Sequence, residues 1–216
     1  MPRVAGLVLA AGAGRRYGMP KALVPYEGRL LVERACHLVA AVCDPVVVVV
    51  GAAADEVRSR AKLGDAVVVL NPDWDSGMGS SLRTGLAALR ALSGGLRENH
   101  QSADPAPGPG GLRGNHQSGS GPDLVDAVLV HLVDLPGMTV AALRRVAAAA
   151  TPEVLAVATY GGVRGHPVLV GRTHWAGVAA SAIGDQGARG YLAAHEVTEI
   201  ECSDVADPAD LDYPPT

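Results

Sequence analysis

Two arginines and a lysine stand among glycines directly behind an apolar run. Val4 to Ala10 is short, apolar and partly β-branched, and it passes into Ala11-Gly12-Ala13-Gly14-Arg15-Arg16-Tyr17-Gly18-Met19-Pro20-Lys21. Those residue types in that order suit the holding of a polyphosphate. Glycine lets backbone N–H groups approach an anion closely and tolerates positive φ, while cationic side chains add charge where phosphate oxygens would sit. The run before the loop predicts a buried strand that feeds it.

Two familiar phosphate loops fail on spacing. A Walker A loop places a Ser or Thr after its lysine to reach magnesium, but Lys21 follows Pro20 and precedes Ala22. A dinucleotide fingerprint needs G-x-G-x-x-G, whereas Gly12, Gly14 and Gly18 carry one extra residue before the last glycine. No acidic residue ends a plausible second strand at the required distance either.

What remains, Leu9-Ala10-Ala11-Gly12-Ala13-Gly14-Arg15-Arg16-Tyr17-Gly18-Met19-Pro20-Lys21-Ala22-Leu23, resembles the LAAGxGxRMGxPKxL signature of nucleotidyltransferases with a MobA-like domain, and within them the molybdenum cofactor cytidylyltransferases. Tyr17 departs from the usual Met but keeps a bulky apolar body. Further blocks follow in the family's order: Asn71 to Leu86, Leu132 to Thr139, Gly165-His166-Pro167, Gly184 to Arg189, and Asp207 to Leu211. Ordered blocks across nearly the whole chain are far more specific than a lone glycine loop.

The resemblance implies that a phosphate on an acceptor attacks the α-phosphorus of a nucleoside triphosphate in line while pyrophosphate leaves, so that the protein supplies position and charge neutralisation. It implies that Lys21 contacts the α- or β-phosphate, that Arg15 neutralises charge on the leaving pyrophosphate, and that the Ala13 and Gly14 N–H groups cradle it; alone, Lys21 would read as a solvated surface lysine. Asp134, after an apolar run and before Pro136, stands where a carboxylate at a strand end binds Mg²⁺. Asp185 resembles the family's second acidic position and is the other metal candidate; its competing role is to N-cap a helix from Gly187 to His195. Asp207 and Asp210 are expected to cap a C-terminal turn. Leu9, Ala10, Ala11, Gly12, Ala13 and Gly14, with Asn71, Ser80 and Ser81, lie where relatives hold the nucleotide. Alanine at position 11 goes with cytidine in the family, which makes CTP the first choice of donor. His166 is the acceptor-binding candidate, with a structural role beside Pro167 as its alternative; Trp74 either shapes the mouth or packs.

The implied partners are a nucleoside triphosphate and a phosphorylated small-molecule acceptor, molybdenum cofactor first, extending to a molybdoenzyme or its chaperone. Two other readings stay open: transfer to a sugar or polyol phosphate, and a non-catalytic nucleotide-binding or cofactor-delivery protein. Retention of both Lys21 and Asp134 argues against the last.

Apolar runs must position these residues. Val46 to Val50, Ala66 to Leu70 and Ala127 to Val133 end at Gly51, Asn71 and Asp134, and such unbroken runs predict parallel strands buried on both faces. Leu30 to Val42 and Ser81 to Leu92 carry apolar residues at helical spacing, and Thr139 is a natural N-cap for a helix through Ala150. The alternation predicts a single α/β domain over residues 1–216, three-layered and Rossmann-like with a mostly parallel sheet, its ligands at the carboxyl ends of the strands.

At 216 residues with 48% hydrophobic content the chain can bury a sizeable core. A net charge of −4 leaves no bulk attraction for nucleic acid or an anionic membrane. Cys36, Cys43 and Cys202 form no metal spacing and read as small buried hydrophobes in a reducing compartment. Arg3 and the apolar residues behind it imitate a secretion signal, but the same residues serve as strand and loop, so a cytoplasmic protein is expected. No segment approaches the roughly 20 apolar residues of a membrane span.

Gly94 to Pro122 interrupts the pattern with Gly, Pro, Ser and Asn, and repeats GGLRENHQS at Gly94 to Ser102 as GGLRGNHQS at Gly110 to Ser118. It is expected to be a mobile surface insertion. The alternative is a lid or partner contact, with His100 and His116 as outlying metal candidates.

Overall fold

Strand β1 (Val4–Ala10) is buried along its whole length and lies inside the sheet, paired on both sides. The structure is a computed structural model that describes residues 2–101 and 125–213. After β1 come a short hairpin, β2 (Pro25–Tyr26) and β3 (Arg29–Leu30), then α1 (Leu31–Ala40), β4 (Val46–Val50), α2 (Ala54–Arg60), β5 (Val67–Leu70) and α3 (Met78–Gln101). The second half holds β6 (Ala127–Leu132), α4 (Val140–Ala147), β7 (Leu155–Tyr160), β8 (Val163–Gly171), α5 (Trp175–Ser181), α6 (Arg189–Ala193) and β9 (Thr198–Glu201).

Seven strands form one sheet in the order β5-β4-β1-β6-β8-β7-β9. It is mostly parallel, as expected; β8 alone runs antiparallel, to both β6 and β7. Because β-strand side chains alternate faces, β1 sends Val8 and Ala10 to one side and Leu7 and Leu9 to the other. The first layer is closed by α1 and α4 through Leu31, Val32, Val39, Leu143 and Val146, the second by α3 and α5 through Leu82, Leu86, Leu89, Trp175 and Val178. The result is a three-layer α/β fold.

Local sequence explains the helix starts. Glu33 Oε2 accepts the Leu30 N–H at 2.9 Å, and Thr139 Oγ1 accepts the Ala142 N–H at 3.2 Å, each satisfying a donor at a helix start. In α4 the pattern Ala142-Leu143…Val146-Ala147 buries one face and leaves Arg144 and Arg145 exposed.

Three expectations change. β5 is an edge strand with Val67 38% and Leu70 45% exposed, so its apolar run is not covered on both faces. α3 continues to Gln101, so the part of the presumed insertion from Gly94 to Gln101, His100 included, is helical; the rest of it, with His116, lies outside the described residues. β7, β8 and β9 are additions to the strands read from sequence. The three cysteines are free and buried, and burial pushes the Cys36 and Cys43 thiols up to about 12. Among the described residues no helix is long and apolar enough to cross a membrane.

Candidate active site

The carboxyl ends of β1 and β6 open into a cavity of about 380 Å³. Leu9, Ala11, Gly12, Ala13, Gly14, Arg15, Arg16 and Lys21 form one wall; Leu132, Val133 and Asp134 come from the end of β6; Trp74, Asp75, Gly77, Met78 and Ser81 come from the approach to α3, with Asp185 and Asp212 completing the lining.

The glycine loop keeps its shape through Gly14. Its φ is +61°, and a Cβ there would lie 1.9 Å from the Met19 carbonyl oxygen, so no other residue fits. The Gly14 carbonyl accepts the Gly18 N–H at 2.9 Å and curls the loop back on itself. Lys21 opens a single 3₁₀ turn whose next residues, Ala22 and Leu23, are sunk in the core. That anchor aims the lysine into the cavity.

Lys21 Nζ donates to Asp134 Oδ2 at 2.8 Å and to Asp212 Oδ1 at 2.7 Å. Burial alone would lower its pKa, but the two carboxylates outweigh it and hold the ammonium above its ordinary value. Asp212 Oδ2 also accepts from Arg16 Nη1 at 2.9 Å. Bonding to Lys21 first, then to Arg16, keeps the Asp212 carboxyl below its usual range.

Asp212 was not among the residues singled out from sequence. It arrives on the tail after β9, which is stitched to the turn following β6: Leu211 N–H donates to the Asp134 carbonyl at 2.9 Å and Asp207 N–H to the Gly137 carbonyl at 3.2 Å. The tail passes so close that a Cβ on Gly137 would lie 2.7 Å from Asp207 Cβ. The concentration of aspartates from Asp204 to Asp212 was the available signal.

Of the other sequence candidates, Leu9, Ala11, Gly12, Ala13, Gly14, Arg15, Ser81 and Asp185 line the cavity. Ala10 turns into the opposite layer of the core. Asn71 and Ser80 are 1% and 3% exposed and bonded to each other: Asn71 Nδ2 donates to Ser80 Oγ at 2.8 Å and to Ser81 Oγ at 3.0 Å, and Asn71 Oδ1 accepts the Asp73 N–H at 3.0 Å. Ser80 Oγ donates to the carbonyls of Asp73 and Gly77. This network shapes the loop beneath Trp74. His166 stands off the cavity lining with Nδ1 3.4 Å from the Val130 carbonyl oxygen; burial lowers its pKa, and the bond to Val130 and then the charge of Asp134 only partly restore it.

Asp185 lies in the 3₁₀ turn Gly184–Gln186, and α6 starts later with no side-chain cap, so the capping role is not observed. Instead the turn packs on the start of α3, where a Gly77 Cβ would come 2.4 Å from the Gly184 carbonyl carbon. Asp207 Oδ1 accepts the Ala209 N–H at 2.9 Å, the local turn expected of it.

Among the described residues no cluster of three His, Cys, Asp or Glu side chains forms a ready-made metal cage. The oxygens of Asp134, Asp185 and Asp212 are nevertheless the hard donors that Mg²⁺ accepts. That ion usually takes only one or two carboxylates and completes its shell with water and substrate phosphate.

Residues 6–199 match the MobA-like NTP transferase domain. The chain belongs to that family. Among curated proteins it is 36% identical over 223 residues to nicotine blue oxidoreductase of Paenarthrobacter nicotinovorans, covering 98% of this chain and 93% of the relative. A shorter match, 45% over 49 residues, covers 23% of this chain and 25% of a probable molybdenum cofactor guanylyltransferase of Bacillus cytotoxicus. Among solved structures, the Rv0371c homologue from Mycobacterium sp. strain JC1 superposes with a TM-score of 0.72 at 26% identity over 98% of this chain and 91% of that one. Rv0371c of Mycobacterium tuberculosis H37Rv in complex with manganese superposes at 0.61, with 25% identity over 92% and 88% of the two chains.

Proposed function

We propose that this MobA-like protein is a Mg²⁺-dependent cytidylyltransferase that moves CMP from CTP to molybdenum cofactor and releases pyrophosphate. The observation that carries the reading is the convergence of Lys21, Arg16 and the glycine loop with the Asp134 carboxylate at one strand end. In-line transfer between phosphates needs no covalent nucleophile, only alignment and preorganised charge. Lys21 neutralises the α- or β-phosphate, Arg15 neutralises the leaving pyrophosphate, and the Ala13 and Gly14 N–H groups cradle it. Asp134 and Asp185 would hold Mg²⁺, which when bound supplies charge neutralisation on the phosphate oxygens. The manganese complex of the Mycobacterium tuberculosis relative supports a divalent ion in this fold.

Ala11 at the loop entrance favours CTP, and the segment shared with the Bacillus guanylyltransferase supports molybdenum cofactor as acceptor. His166 stays the acceptor-side candidate of this reading, although it stands behind the cavity lining. Free, buried Cys36, Cys43 and Cys202 suit a cytoplasmic enzyme.

The full-length similarity to nicotine blue oxidoreductase favours a second reading, in which the same phosphate-binding loop holds a reduced dinucleotide that passes hydride to a conjugated ring beside Trp74. One panel separates the two. Pyrophosphate release is assayed with each of the four ribonucleoside triphosphates against molybdenum cofactor and simple sugar and polyol phosphates. Oxidation of NADH and NADPH is followed with nicotine blue as acceptor. CTP-dependent release with molybdenum cofactor supports the transferase; nicotinamide oxidation without any release replaces it with the reductase.

A further inference from the structure

Asp212 sits where the proposed donor phosphate should go. Its carboxylate is gripped by Lys21 Nζ, the proposed ligand of the donor phosphate, at 2.7 Å and by Arg16 Nη1, a second cation of the same loop, at 2.9 Å, and it lines the cavity. A carboxylate and a phosphate oxygen are alike in charge and in demand for charge-assisted hydrogen bonds, so they compete for these cations and repel one another when both are close.

The tail is built to release this residue alone. Upstream it is firmly held: Cys202 is fully buried, Thr139 Oγ1 donates to the Val205 carbonyl at 2.8 Å, and backbone bonds fix Asp207 to Gly137 and Leu211 to Asp134. Beyond Leu211, among the described residues, Asp212 is held by its ion pairs with Lys21 and Arg16, and Tyr213 is 68% exposed. The carboxylate therefore sits on a strap whose root is fixed by those bonds, so that it can leave the cavity without breaking them.

We propose that Asp212 is a built-in occupant of the phosphate site, closing the tail over Lys21 and Arg16 when no nucleotide is present and yielding to the triphosphate when it binds. The proposal rests on the reading of the cavity as a triphosphate site. Occupation by Asp212 lowers apparent nucleotide affinity by the fraction of molecules in which the strap is closed. It also couples nucleotide binding to exposure of the tail.

The test uses the full chain carrying Tyr213→Cys, labelled with an environment-sensitive fluorophore; the native cysteines are buried and spare the label a competing site. Inorganic pyrophosphate and CTP are titrated without added metal into this protein and into the same protein with Asp212→Asn, which keeps shape and removes charge. Asp212→Ala serves as a second variant. The expected result is a label response to pyrophosphate when Asp212 is present, and binding about tenfold tighter in both variants, the gain if the strap is closed nine-tenths of the time. Binding to the parent protein that is unchanged or weaker in both variants overturns the occupant role and leaves the triphosphate site standing. No binding of pyrophosphate or CTP by any of the three proteins overturns both, because removing the occupant should unmask an anion site.

Discussion

Replacing Lys21 by methionine keeps the aliphatic stem and removes the charge that bridges two carboxylates. Held at 2.8 Å and 2.7 Å from one nitrogen, the Asp134 and Asp212 oxygens are at most about 5.5 Å apart. Two unit charges at that distance repel by about 3 kcal/mol at an effective dielectric constant near 20, and by under about 1 kcal/mol in water. The carboxylate side chains are 20% and 30% exposed, so solvent and movement of the tail bring the cost toward the lower figure. Lys21→Met should thus lower stability at pH 7 by about 1 kcal/mol, and the loss should shrink in high salt and in acid as Asp212, whose pKa the bond to Lys21 holds down, takes up its proton. Turnover should fall far more, by about 2–4 kcal/mol or roughly 30-fold to 10³-fold in kcat/KM, as for loss of one preorganised electrostatic group. Urea unfolding at several pH and salt values, alongside initial rates of pyrophosphate release, measures both. An unchanged rate together with unchanged nucleotide affinity would show that Lys21 serves only the ion pairs seen here, and the phosphate assignment would fall.

Asn71→Ala should cost about 2–4 kcal/mol in chemical denaturation, because it leaves the buried Ser81 hydroxyl and the Asp73 N–H without their partner; a loss below 0.5 kcal/mol would show that the loop satisfies itself another way. Ala11→Gly should shift donor selectivity from CTP toward GTP by about 1–3 kcal/mol in relative kcat/KM without inverting it, and identical selectivity before and after would remove Ala11 from base discrimination. His131, 1% exposed with its Nδ1 unpartnered, has its pKa lowered by burial to about 3. The native state keeps it neutral while the unfolded chain protonates near 6.5, so stability is full above that pH and is lost as pH falls toward 3, by about 2 kcal/mol at pH 5. His166, whose pKa is also lowered, adds in the same direction. His131→Leu should flatten this slope between pH 7 and 5; an unaltered slope would assign the acid sensitivity to other groups.

The positions of the glycine loop and Asp134 were legible because each follows an apolar run that ends at the cavity, and Lys21 comes with the loop. Asp212 was not. Its approach to Lys21 is set by the long-range bonds of Asp207 and Leu211 to the turn after β6, and no local spacing encodes those. Asn71 and Ser80 show the converse, since polar residues at a strand end suggest ligand contact until their bonds to each other are seen. The Gly161-Gly162 pair between Tyr160 and Val163 was a readable signal for the β7–β8 hairpin, and missing it hid the antiparallel strand. α3 runs through Gly94 and Gly95 because a helix already packed through Leu82, Leu86 and Leu89 extends at one bond per residue, which outweighs the weak propensity of glycine. The exposure of β5 is a consequence of its place at the sheet edge, which a run of valines does not reveal.

The most direct measurement of the central claim follows the phosphorus atoms. CTP labelled separately at its α- and γ-phosphates is incubated with the protein, Mg²⁺ and molybdenum cofactor, alongside Asp134→Asn. α-Label should appear on the acceptor and γ-label in pyrophosphate, with neither product formed by the variant. Failure of α-label to reach any acceptor, or γ-label appearing directly as orthophosphate, would contradict that claim.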